Sequence, residues 1–143
     1  TKILIDNQSP YLKSYIVNKG FNHGIKMGVA VKDKFYFVGK IVGVNYLTSR
    51  VLLASDLNSK IPIMIEPGRI NAILSGNGNN KYADLEYLPK ANNIKSGDLV
   101  FTSGTDDTIP PAIPVGKIIE INGKKLVKFF TNFDQLKYVK VNK

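Results

Sequence analysis

Two small, related β-barrels are what this sequence predicts: an all-β fold with no long helices. Three observations carry the prediction. Helical periodicity is missing, because no stretch keeps apolar residues at helical spacing for three turns and 12 Gly and 7 Pro interrupt the chain at short intervals. Short β-branched and aromatic runs lie between turn signals instead. Finally, one block of sequence occurs twice.

Taken in order, the runs Tyr11 to Val17, Phe35 to Tyr46, Arg50 to Ala54, Ile61 to Ile65 and Ile70 to Leu74 read as strands. Leu85 to Leu88, Leu99 to Thr102, Val115 to Ile121, Leu126 to Thr131 and Tyr138 to Val141 complete the set. Ile61, Ile63 and Ile65 share one face, opposite Lys60, Pro62 and Met64. Val139 and Val141 alternate with Tyr138 and Lys140 in the same way. Such alternation fits strands with one face on a core and the other toward water.

The duplicated block gives the organisation. Ile25-Lys26-Met27-Gly28-Val29-Ala30-Val31 matches Ile94-Lys95-Ser96-Gly97-Asp98-Leu99-Val100, and Val38-Gly39-Lys40-Ile41 matches Val115-Gly116-Lys117-Ile118. In each copy a Gly turn throws the chain into a strand, a loop reverses it, and a second glycine sits where side-chain bulk would clash at a barrel bend. Two copies imply two similar units. We expect a first barrel over residues 1–57 and a second over 58–133, with the polar connector Asp56-Leu57-Asn58-Ser59 between them. The last strand, within 134–143, can complete the first barrel, and the sequence leaves open which unit owns it.

Composition excludes several classes. With no cysteine there is no disulfide framework and no thiolate zinc site. No apolar run is long enough to span a bilayer. The start, Thr1-Lys2-Ile3, has neither an initiator Met nor a signal-peptide shape, so we expect an excised fragment with any anchor upstream. A net charge of +9 invites nucleic-acid or anionic-surface binding. Against that, 18 Lys stand beside only 2 Arg, Arg50 and Arg69, and the lysines are spread along the chain. Arg leads in base and phosphate recognition, so the expectation is solvated lysine and no nucleic-acid partner.

Residues Ile94 to Ile118 run IKSGDLVFTSGTDDTIPPAIPVGKI. This segment resembles the signature of the MreC family of bacterial rod shape-determining proteins, a TSG block leading through a proline-rich loop to PVGK. Thr102, Ser103, Gly104, Pro110, Pro111, Pro114 and Gly116 carry the likeness. Ser49 to Leu53, Asp56 to Ile63, Ile73 to Gly78 and Phe133 to Val139 are similar to the family as well, so the resemblance covers roughly Tyr11 to Val141. The chain departs from the pattern at Asp107 and Ala112, where relatives carry turn glycines, and at Ile109, where Phe is usual. The resemblance implies two barrels of trypsin-like arrangement in the periplasm. They would be held to the inner membrane by a segment absent from this chain and preceded by a dimerising coiled coil. It also implies a scaffold of the cell-elongation machinery and peptidoglycan synthesis. Its partners would be the elongation transpeptidase (a class B penicillin-binding protein), MreD and the complex organised by MreB, with self-association.

Catalysis would require His23 and Ser103 to meet, with an orienting carboxylate and an oxyanion hole. His23 lies in a turn-like Asn22-His23-Gly24, and Ser103 lacks a nucleophile loop, so we expect no enzyme and no catalytic residue. One His and scattered carboxylates give no metal-ligand spacing, and no cofactor motif is present. Gly76-Asn77-Gly78-Asn79-Asn80 has no following helix and no phosphate-loop lysine. The candidate partner-binding residues are Phe35, Tyr36 and Phe37, beside the charged turn Lys32-Asp33-Lys34. Successive strand side chains face opposite ways, so at least one ring points outward, to anchor a partner or to pack on the other barrel. The loop Ile109 to Pro114 is stiff and partly apolar, suited to closing the barrel or to docking.

Overall fold

The computed structural model describes residues 2–5, 13–90, 92–105 and 107–141. Five strands open the chain: β1 (Ile3–Ile5), β2 (Ser14–Val17), β3 (Ala30–Asp33), β4 (Tyr36–Val44) and β5 (Ser49–Leu53). Six follow: β6 (Lys60–Glu66), β7 (Ile70–Ser75), β8 (Tyr82–Glu86), β9 (Leu99–Thr102), β10 (Pro114–Ile121) and β11 (Lys124–Phe129). The last is β12 (Lys140–Val141), and the described residues contain two 3-10 turns and no α-helix. β6 to β11 close into a six-stranded antiparallel barrel in the order β10-β11-β8-β7-β6-β9. The other six form a sheet ordered β1-β2-β5-β4-β3-β12. It curves into a half-barrel that no strand ladder closes among the described residues; an isolated bridge between Lys2 and Tyr138 and an Ile3 N–H bond to the Lys137 carbonyl at 3.0 Å link its two ends. The strand whose owner the sequence left open, β12, pairs with β3.

Period-two patterning places the core. Ile61, Ile63 and Ile65 are fully buried inside the barrel, and Val139 is buried while Tyr138 and Lys140 are exposed. The buried apolar side chains of both sheets form one continuous cluster.

The duplicated block folds twice in the same way. Gly28 N–H donates to the Ile41 carbonyl at 2.8 Å, and Gly97 N–H donates to the Ile118 carbonyl at 2.7 Å. Val31 faces Gly39 in one pair of strands, and Val100 faces Gly116 in the other. Gly28 and Gly97 both have left-handed backbones, at φ 84° and 98°, which a side chain would strain.

Some boundaries differ from the sequence expectation. β1 is an additional strand, β3 is the strand that the duplicated block implies after Gly28 and runs on to Asp33, and Tyr11 and Leu12 of the first expected run lie outside the described residues, as do Ala91 and Asp106. Expected at 85–88, β8 instead ends at Glu86, because Tyr87 turns left-handed at φ 60° and cannot continue an extended ladder. β11 begins at Lys124 because Asn122 and Gly123, both at positive φ, make the tight turn after β10. The connector Asp56 to Ser59 is more than a polar link. Asp56 is buried, its carboxylate accepting the Lys13 N–H at 2.6 Å and the Asn58 N–H at 2.7 Å, and Ser59 is buried too.

Candidate interaction surface

The three successive aromatics separate by exposure. Phe35 sits in the turn between β3 and β4 and is 74% exposed. Tyr36 starts β4, is 39% exposed, and lays its ring 5.2 Å from that of Phe130 in the segment after β11. Phe37 is fully buried, which corrects its expected role: a ring inside the core fills space and cannot touch a partner. Its carbonyl accepts the Thr131 hydroxyl at 2.9 Å, so this position ties the half-barrel to the barrel.

Lys34, at φ 56°, makes the turn that pushes Phe35 outward. Beside it lies an open depression of about 470 Å³ lined by Asp33, Lys34 and the 135–140 segment. Tyr138 of that segment is exposed, so β12 brings a further aromatic to the edge that holds Phe35. The sequence shows Tyr138 only as the outward face of a strand. That strand's place next to β3 is a tertiary fact.

The TSG-to-PVGK residues build a closure. Thr102 is buried; its hydroxyl donates to the Pro110 carbonyl at 2.7 Å and accepts the Ile113 N–H at 3.0 Å. Gly104 is left-handed at φ 80°, and a Cβ there would lie 2.7 Å from Pro111 Cβ. Ile109 and Ile113 are buried in the core, so the loop's apolar side chains seal the barrel. Pro110 is partly exposed and Pro111 exposed, while Pro114 begins β10. At Gly116 a Cβ would collide with the carbonyl oxygen of Lys128. Of the departures from the family pattern, Ala112 is the one forced left-handed, at φ 67°.

His23 and Ser103 each bond within their own loop. The Nδ1 of His23 accepts the Gly20 N–H at 3.1 Å, so the neutral ring carries its proton on Nε2, the nitrogen a general base would need free. Ser103 Oγ bonds with Thr105 Oγ1 at 2.9 Å. Among the described residues no group of three or more His, Cys, Asp or Glu could hold a metal ion, and no helix is long and apolar enough to cross a membrane.

A family profile described as "Rod shape-determining protein MreC, barrel core" matches residues 3–143. The chain belongs to the MreC family. It is 34% identical over 140 residues to the cell shape-determining protein MreC of Cereibacter sphaeroides, covering 97% of this chain and 46% of that protein. To the MreC of Caulobacter vibrioides it is 33% identical, over 98% of this chain and 40% of the relative. This MreC-family chain thus spans less than half the length of these two relatives. Among solved structures, MreC from Pseudomonas aeruginosa superposes with a TM-score of 0.86 at 28% identity, covering 99% of this chain and 96% of that one. A structure described as a complex between Penicillin-Binding Protein (PBP2) and MreC from Helicobacter pylori shares the fold, with a TM-score of 0.66 at 17% identity over 90% of this chain and 82% of that one.

Proposed function

We propose that this MreC-family chain is a non-catalytic periplasmic scaffold that binds the elongation transpeptidase, a class B penicillin-binding protein, and so organises peptidoglycan synthesis and rod shape. In this reading residues 1–57 with 134–143 act as one unit and 58–133 as the other. The single observation that carries the binding role is the exposed aromatic edge of Phe35, the open face of Tyr36, and Tyr138. Such rings, rigid and with few torsions to freeze, anchor protein interfaces. Membership in a family whose relatives are named for cell shape supports the reading, as does a relative solved in complex with a penicillin-binding protein. MreD, the MreB-organised complex, self-association and an inner-membrane anchor belong to the same proposal.

The test is titration calorimetry of this chain against the periplasmic domain of the transpeptidase. Binding in the micromolar range is expected, weakened about tenfold or more by Phe35→Ala, since an interface anchor contributes roughly 2 kcal/mol. Absence of heat with both proteins folded at tens of micromolar would reject direct binding by these sheets.

A further inference from the structure

A second apolar surface lies at the far end of β4 from Phe35. Tyr36 and Val44 are eight residues apart along that strand, so the two surfaces are separated by about 26 Å at roughly 3.3 Å per residue. Here Phe21 (72% exposed), Met27 (58%) and Tyr46 (64%) surround an open groove with buried Ile25 among its lining residues. The groove encloses about 450 Å³, and Lys26 is its one charged lining residue. Phe, Met and Tyr are the residue types enriched at protein interfaces, and Met adapts its shape to a partner.

The walls are held in place before anything binds. The 3-10 turn Phe21–His23 is fastened to the β4–β5 turn by Phe21 N–H to the Asn45 carbonyl at 2.7 Å and Asn22 N–H to the Tyr46 carbonyl at 2.9 Å. Gly20 permits this approach, since a Cβ there would collide with the Asn45 carbonyl oxygen. A groove clamped by backbone bonds loses little conformational freedom on binding.

Charge indicates the occupant. Lysine is spread along the chain, but carboxylates are not: residues 13–55 contain seven Lys or Arg and a single acid, Asp33. That stretch therefore carries +6 of the chain's +9; Lys32, Asp33 and Lys34 lie at the opposite end, where β3 meets the Phe35 turn, whereas Lys26 lines the groove and Lys19 adjoins Gly20, with no acid anywhere in residues 13–32. Like charge disfavours a second copy seated on this face, and a concave site fits inserted side chains better than a flat lipid surface.

We propose that the Phe21–Met27–Tyr46 groove docks a segment of another protein that presents apolar anchor side chains flanked by carboxylates. This is a surface separate from the Phe35 edge, and it stands or falls independently of it.

Display selection of random dodecapeptides on the 143-residue chain tests it. Enriched peptides are expected to combine aromatic or aliphatic anchors with Asp or Glu. By fluorescence anisotropy their affinity should fall about tenfold with Phe21→Ala and with Lys26→Glu, weaken as salt rises, and stay unchanged with Phe35→Ala. Both groove residues are exposed, so thermal melts of the variants should match the parent. A consensus without acids, affinity indifferent to Phe21→Ala and Met27→Ala, or no enrichment at all would overturn the proposal. So would Phe21-dependent sedimentation with phosphatidylglycerol vesicles, which would assign the face to a lipid surface, or Phe21-dependent dimerisation.

Discussion

Tyr15 reaches from β2 to donate its phenol to the Phe133 carbonyl at 2.7 Å. Burial, and secondarily the carboxylate of Asp134, pushes its pKa above the ordinary phenol value. A phenol that ionises less readily when folded contributes stability that is fully present below the ordinary phenol pKa and is lost as pH rises through the folded value. Tyr15→Phe should therefore cost about 1 kcal/mol near neutrality, for one hydrogen bond. That deficit should shrink in alkaline solution, which denaturant melts across pH would read. Ala112 makes a different prediction. It sits at φ 67°, where a Cβ costs roughly 1–2 kcal/mol, more than the unfolded-chain entropy that glycine adds back. Ala112→Gly should raise stability by up to about 1 kcal/mol in the same assay. Ala112 stood out in the sequence as a departure from a glycine pattern. The burial of Asp56 did not, because an acid in a polar run looks solvated until two backbone N–H groups are folded onto it.

The repeated strand pair is where sequence and geometry agree most closely. Gly39 and Gly116 occupy matching positions, and a Cβ at either would collide with a backbone carbonyl, that of Leu52 or of Lys128. Backbone cannot yield as a flexible side-chain tip does, so Gly39→Ala and Gly116→Ala should each cost about 1–3 kcal/mol. Gly43→Ala is the control: the nearest atom to its Cβ would be Arg50 Cβ at 3.7 Å, so the change should stay within about 0.5 kcal/mol. Equal tolerance at all three, measured by chemical denaturation, would remove the claim that these glycines exist for close approach. β6 was legible for a related reason, since Ile61, Ile63 and Ile65 repeat at the period of the pleat. β3 is visible in the sequence only through the duplicated block, where a strand follows the first Gly turn; as a run on its own Ala30-Val31-Lys32-Asp33 has one β-branched residue, and pairing with β4 and β12 holds it.

At the scale of the molecule, two sheets share one apolar interior. The segment that leaves β11 is fastened to the half-barrel by Thr131 to the Phe37 carbonyl, Tyr15 to the Phe133 carbonyl, and the Tyr36–Phe130 ring pair. A continuous core predicts cooperative unfolding, with a single transition in which probes in either sheet coincide. Thr131→Val leaves the buried Phe37 carbonyl short of a partner and should lower that one transition by about 1–3 kcal/mol. Two resolved transitions by calorimetry would mean that the sheets fold independently. This same junction explains why the aromatic run divides as it does. Phe37 is consumed by the core, Tyr36 is half-covered by Phe130, and Phe35 is left to solvent.

From residues alone came the all-β class, the duplication, the inward face of β6 and the glycines that admit close backbones. Each depends on local dihedral preference or on the two-residue period of a strand, which neighbours in the chain already specify. Tertiary structure decided that β12 joins β3, that one sheet closes while the other stays a half-barrel, and which ring of three faces water. Those outcomes depend on pairing and packing between segments far apart in sequence, where many registers satisfy the same local pattern and only the assembled core selects one.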